Sequence, residues 1–194
     1  MASAAVSTST DLAHARRAMI DSQLRVSGIN DPQVLAAFGA VAREDYVGAD
    51  QRAVAYVDRA LPLGEGRMLS APLGQARLVT EADPKQTDKT LLVGGGTGDL
   101  AAVLAPLVAS LDVVEDDPRL SGMPGAKAGS WHATSLAEGW PGGAPYDLVI
   151  IDGAVEALPK SFAALLADNG RIVTGTLDNG VTRIAVGRRS GDTV

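Results

Sequence analysis

The residues best suited to chemistry in this 194-residue chain stand at Val93-Gly94-Gly95-Gly96-Thr97-Gly98, where a short apolar run breaks into glycines. Glycines at 94, 96 and 98 let the backbone approach a ligand closely, and a helix starting behind them presents unpaired N–H groups to an anionic or polar group. Glu115 ends the next apolar run, roughly 20 residues from the turn, where an open parallel sheet places an acid to accept hydrogen bonds from a ribose diol. Together they predict a cradle for a cofactor that carries adenosine. Each also has a plainer reading: glycine-rich turns serve packing alone, and Glu115 in the run Glu115-Asp116-Asp117 reads as a solvated strand end. A dinucleotide fits less well, because Asp99 stands where the third glycine of G-x-G-x-x-G belongs and its charge would repel a pyrophosphate. A zwitterionic amino-acid tail tolerates that charge better.

Other chemistry is thinly supplied. The chain has no cysteine, which removes disulfides, thiolate metal sites and cysteine nucleophiles. Only His14 and His132 offer imidazole, and neither has a suggestive neighbourhood for a metal site or a Ser-His-Asp triad. With 17 basic against 23 acidic side chains the net charge is −6, the wrong sign for a protein that grips nucleic acid through phosphates. No run approaches the roughly 20 apolar residues of a membrane span, and Met1–Thr10 lacks the basic and apolar parts of a secretory signal. A soluble cytoplasmic protein is the expectation.

The elements that must position these residues follow from periodicity. Residues 1–10 read as a flexible tail and 11–194 as one domain, divided into a helical extension (11–82) and a cofactor-binding core (83–194). Asp11 is expected to cap a helix over Ala13–Val26, and Asn30-Asp31-Pro32 to open a second through Val34, Leu35 and Phe38. Arg43–Gly66 shows no sustained period and reads as irregular structure with short turns. A third helix is predicted from Pro72 to about Glu81. Beyond it, strands are predicted at Thr90–Val93, Leu111–Val114, Tyr146–Asp152, Arg171–Thr174 and Thr182–Gly187. Helices are expected over Asp99–Ala109, interrupted by Pro106, and over about Pro159–Ala167, followed by a Gly170 stop. Such alternation predicts an α/β protein with a parallel sheet covered on both faces.

Around the glycines and Glu115 the sequence resembles the protein-L-isoaspartate O-methyltransferase family, within the class I S-adenosylmethionine-dependent methyltransferases. Ala42-Arg43-Glu44-Asp45-Tyr46-Val47 is similar to that family's V-P-R-E-x-F-V stretch. Ala55-Tyr56-Val57-Asp58-Arg59-Ala60-Leu61-Pro62-Leu63-Gly64 is close to its A-Y-x-D-x-x-L-P-I-G segment, the most specific match. Gly66–Pro72 looks like its G-x-T-I-S-Q-P loop, and Gly139-Trp140, Ala144–Asp147 and Pro159 follow in the family's order. The resemblance implies a Rossmann-like methyltransferase fold with an N-terminal helical extension. It implies methyl transfer from S-adenosylmethionine to the carboxylate of isoaspartyl or D-aspartyl residues in damaged proteins or peptides. In site terms it implies Ser70 beside the transferred methyl, cofactor contacts from Gly94, Gly96, Gly98 and Glu115, and further contacts from Ser135 and Leu136, which occupy the place of the family's G-D-G. A carboxylate of pKa about 4 is already ionised at neutral pH, so such a reaction needs no general base.

The chain also departs from the pattern. Leu92 stands where the family has a glutamate, Thr134-Ser135-Leu136 lacks the carboxylate of G-D-G, and Ala71 replaces a glutamine. The stretch from Asp116 to His132 is short, and Gly122, Pro124, Gly125 and Gly129 weaken any helix in it. If each lost contact costs about 1 kcal/mol, two or three weaken cofactor binding by about one to two powers of ten. Two alternatives therefore stand beside the enzyme reading: a binding or structural protein that keeps the fold without the chemistry, and a methyltransferase with another acceptor.

Overall fold

The computed structural model describes residues 9–121, 127–191 and 193–194; the predicted tail up to residue 8 and Gly122, Pro124 and Gly125 lie outside them. Helix α1 (Ser9–Met19) begins two residues before Asp11, so Ser9 and Thr10 belong to the helix rather than to a tail. It runs on through a π-turn (Ile20–Leu24) and a 3-10 turn (Arg25–Ser27) to Gly28, whose φ of 91° ends it. Helix α2 (Pro32–Ala40) starts as the sequence predicts: Asp31 Oδ1 accepts from the N–H groups of Gln33 (2.7 Å) and Val34 (3.2 Å), and Pro32 needs no partner in the first turn.

The stretch read as irregular holds 3-10 turns at Arg43–Tyr46 and Arg52–Val54 and, at its end, a hairpin of β1 (Leu61–Gly64) and β2 (Arg67–Leu69). Strands of four and three residues are too short to show a period of two, which is why the hairpin escapes the sequence. Helix α3 (Pro72–Ala82) follows. The core then runs β3 (Lys89–Val93), α4 (Asp99–Leu104), β4 (Ser110–Val114), α5 (Pro118–Ser121), β5 (Ser130–His132), β6 (Tyr146–Val155), α6 (Ser161–Leu165), β7 (Leu166–Asp178) and β8 (Val181–Arg188).

The six core strands lie in the order β5-β4-β3-β6-β7-β8, all parallel except β8, which runs antiparallel to β7. Side chains alternate across the sheet. Leu92, Val113, Leu148, Ile150 and Val173 pack with helices α1 to α4 on one face. On the other, Leu91, Val93, Val114, Val149 and Ile151 pack with Phe162 and Leu165 of α6. Each such fully buried side chain contributes about 1.5–3 kcal/mol. Arg171 of β7 fastens α3 to the sheet by donating to the carbonyls of Ala82 and Asp83, both at 2.7 Å, and to the carboxylate of Asp88.

Two predicted boundaries shift. Helix α6 stops at Leu165 because Leu166 already pairs with Tyr146 of β6. Gly170 is no stop before the strand; it lies within β7 at a bulge, since Leu148 next pairs with Arg171, and a Cβ on Gly170 would lie 2.9 Å from the Tyr146 carbonyl oxygen.

Chain direction sets the place for a ligand. From β3 the chain winds outward through β4 and β5, then crosses back to β6 on the opposite side of β3. The carboxyl ends of β3 and β6 therefore border the crevice where strand order reverses, the usual ligand position in such sheets.

Candidate functional site

A cavity of about 360 Å³ opens at that crevice, lined by Val93 and Gly94 after β3, by Ile151, Asp152, Gly153 and Ala154 on β6, and by Arg67, Leu136 and Phe162. A larger cleft of about 650 Å³ between α1 and α2 holds none of the candidate site residues named from the sequence. At Gly94 the backbone has φ 82° and a Cβ would sit 3.2 Å from the Asp152 carbonyl oxygen, so the wall of the cavity at this point is bare backbone. Gly95 plays a different part: a Cβ there would meet Val113 Cγ1 at 2.3 Å and Trp131 at 2.8 Å, so the turn packs flat on β4 and β5. Gly96 and Gly98 also take positive φ, 54° and 100°, and complete the turn into α4.

Glu115 follows β4 and reaches back to this turn. Its Oε2 accepts from the Gly96 N–H at 2.6 Å and its Oε1 from the Asp117 N–H at 3.0 Å. Arg67 of β2 also donates to Oε2 at 2.7 Å and to Asp116 at 3.0 Å. A glycine wall without Cβ atoms, an acid hydrogen-bonded to the turn and a crevice of this size fit an adenosyl ligand with an amino-acid tail. Gly94 and Glu115 are the residues here that would hold it.

Ser70 lies just beyond β2, and its hydroxyl donates to Asp152 Oδ1 at 2.7 Å. Gln75 of α3 donates to Asp152 Oδ2 at 3.0 Å and accepts from Arg43 at 2.8 Å. Arg43, only 4% exposed in its side chain, forms a buried ion pair with Asp99 and donates to the carbonyls of Ala55 and Ser70. Burial pushes the Asp99 carboxyl above its ordinary range, against the pull of Arg43. Burial likewise raises Asp152, whose hydrogen bonds come from the neutral donors Ser70 and Gln75. The cavity wall thus carries the Asp152 carboxylate, to which the Ser70 hydroxyl is bonded; Ser70 and Glu115 stand behind the residues that line the cavity.

Sequence reasoning missed Arg67, Gln75 and Asp152. An acid closing the wholly apolar run Leu148–Ile151 was a usable signal for Asp152; nothing marked the other two, which meet it only through the fold. Of the residues expected to contact the cofactor, Leu136 lines the cavity, while Ser135 is exposed and closes a local turn, its Oγ accepting from Ala137 N–H at 3.3 Å. Leu92 is fully buried in the main core. His132 stacks on Trp140 with ring centroids 4.0 Å apart and bonds Asp112 at 2.8 Å, a packing role. Tyr56 and Glu44, from the two segments before the hairpin, hydrogen-bond each other and take Arg16 of α1 as a third member, with Arg16 Nε 2.8 Å from the Tyr56 oxygen. Those segments hold elements together.

Comparison with known proteins bears on this geometry. Residues 14–122 match the family model for protein-L-isoaspartate(D-aspartate) O-methyltransferase. A protein-L-isoaspartate O-methyltransferase of Roseiflexus sp. (strain RS-1) is 35% identical over 191 residues, covering 95% of this chain and 87% of the relative. Another from Methylorubrum populi is 35% identical over 175 residues, covering 84% and 79%. Among solved structures, one protein-L-isoaspartate O-methyltransferase superposes with a TM-score of 0.78 at 20% identity over 91% of this chain and 60% of its own length. A second, a putative member from Plasmodium falciparum in complex with S-adenosyl-L-homocysteine, gives 0.75 at 16% identity over 92% of each. These two structures show that the fold is shared. The sequence matches show more: the chain belongs to the protein-L-isoaspartate (D-aspartate) O-methyltransferase family.

Proposed function

We propose that this protein transfers a methyl group from S-adenosylmethionine to the carboxylate of L-isoaspartyl or D-aspartyl residues. The observation that carries the proposal is the bare Gly94 turn in the wall of the switch-point crevice, with the Glu115 carboxylate bonded behind it to Gly96 and the Ser70 hydroxyl bonded to Asp152 of the crevice wall. When bound, S-adenosylmethionine supplies a methyl group on a positively charged sulfur. Gly94 admits the ligand against backbone, Glu115 accepts from the ribose hydroxyls, and Leu136 packs beside it. Ser70 orients the attacking carboxylate by turning to it the one hydroxyl proton that it otherwise donates to Asp152; no side chain has to remove a proton, because the nucleophile is already ionised. Damaged proteins and peptides are the acceptors in this reading, and the cytoplasm is where they are met.

A second reading rests on one feature: Arg67 already occupies Glu115, as a ligand hydroxyl would. On that reading the chain keeps the fold as a binding protein without methyl transfer. Calorimetric titration with S-adenosylhomocysteine separates the two. The proposal predicts saturable binding, weakened about tenfold or more by Glu115→Ala through loss of hydrogen bonds to a charged group. No heat at millimolar ligand sinks the enzyme reading, and unchanged affinity in the variant shows that Glu115 is not the ribose acid.

A further inference from the structure

The side chain of Glu115 has no accessible surface. Arg67 screens its carboxylate at the cavity. Oε2 accepts from both Gly96 N–H and Arg67 Nη2, and Oε1 from Asp117 N–H. A ribose diol therefore reaches this acid only by taking the place of the guanidinium. Arg67 is placed to yield. It is 27% exposed, and its second partner, Asp116, is itself 47% exposed, so that ion pair is weakly held. Among the described residues the β1–β2 hairpin that carries Arg67 pairs with itself alone, apart from the six-stranded sheet, and it turns through Gly64-Glu65-Gly66, all with positive φ. Arg67 can shift without breaking a rung of the core sheet.

A displaced guanidinium would still stand at the cavity. Among the described residues lining it, Arg67 is the only cation, and Asp152 is the only carboxylate. Ser70, which holds Asp152, lies three residues further along the same chain segment. An acceptor carboxylate approaching Ser70 meets the like charge of Asp152, and a planar guanidinium with two parallel donors is the group suited to offset it.

Resting on the methyltransferase reading above, we propose that Arg67 covers Glu115 until the adenosyl ligand displaces it, and that the freed guanidinium then binds the carboxylate of the methyl acceptor. The cofactor is in this way a condition for acceptor binding. Arg67 stays protonated throughout and takes no covalent part.

The test uses the full chain as wild type, Arg67→Gln and Arg67→Lys. S-adenosylhomocysteine affinity and the affinity for an isoaspartyl peptide, with and without S-adenosylhomocysteine, are measured by calorimetry, and KM and kcat by methyl transfer to the peptide. Arg67→Gln is expected to bind S-adenosylhomocysteine about threefold or more tighter, since the competitor for Glu115 is gone. Its peptide KM is expected to rise about tenfold or more with a smaller change in kcat, and Arg67→Lys to fall between. Wild-type protein should bind the peptide only when S-adenosylhomocysteine is present. The proposal is overturned if Arg67→Gln loses cofactor affinity, if its peptide KM is unchanged, or if the peptide binds wild type equally well with and without the cofactor product. Wild-type protein that binds no S-adenosylhomocysteine overturns the underlying methyltransferase reading, and this proposal with it.

Discussion

At the scale of single residues, the buried acid of β6 has a consequence for stability. Asp152 is held by neutral donors, and burial raises its carboxyl in the folded state, so the native protein binds this proton more tightly than the unfolded chain does. Its contribution to stability is therefore favourable at low pH. That contribution is lost as pH rises from the ordinary carboxylate value of about 4 through the raised folded value. Asp152→Asn removes this cost while keeping shape, since the amide can donate to Ser70 and accept from Gln75. Thermal unfolding should show the variant more stable than wild type by a few degrees at pH 7, about 2–4 °C per kcal/mol for a chain of this size. The gap should close as the pH is lowered toward about 4. A variant less stable than wild type at pH 7 would show that the ionised carboxylate is worth more in place than it costs. The residues legible in the sequence were those in local patterns, Gly94 before a helix and Glu115 after a strand. Asp152, Gln75 and Arg67 were not, because their partners lie far off in the chain: Ser70 and Gln75 reach Asp152 across 82 and 77 positions, and Arg67 reaches Glu115 across 48.

At the scale of elements, the glycine turn is a packing device as well as a ligand wall. Gly95 lies against Val113 and Trp131 so closely that a methyl group must displace them. Val113 is fully buried in a central strand and has no room to move. Gly95→Ala is expected to destabilise by about 1–3 kcal/mol, the range for overpacking a filled core, and to lower the urea midpoint accordingly. An unchanged midpoint would mean that the turn lifts freely off β4 and β5. The expected α/β alternation survives in every strand that the sequence placed, since apolar runs such as Leu148–Ile151 leave little choice. The hairpin β1–β2 and the three-residue β5 were illegible for want of length, and the bulge at Gly170 because only pairing with β6 distinguishes it from a stop.

At the scale of the whole molecule, the N-terminal helices and the sheet are joined by the segments that carry the family resemblance. The cluster of Arg16, Glu44 and Tyr56 ties α1 to the region before the hairpin, and Asp58 accepts from the Leu73 N–H at 3.1 Å in the first turn of α3. Arg43 then spans from this region to Asp99 at the start of α4, and Ser70 and Gln75 reach Asp152 on β6. Arg43, from one of the segments that carry the family resemblance, thus helps to place Ser70 against the sheet. On the proposed function, the acceptor end of the site is a product of the N-terminal half and the cofactor end a product of the sheet. The claim that the two ends work together is tested most directly by methyl transfer from labelled S-adenosylmethionine to an isoaspartyl peptide and to its normal aspartyl twin. Saturable transfer to the isoaspartyl peptide and only background for the twin are expected. Equal transfer to both at background level would contradict that claim.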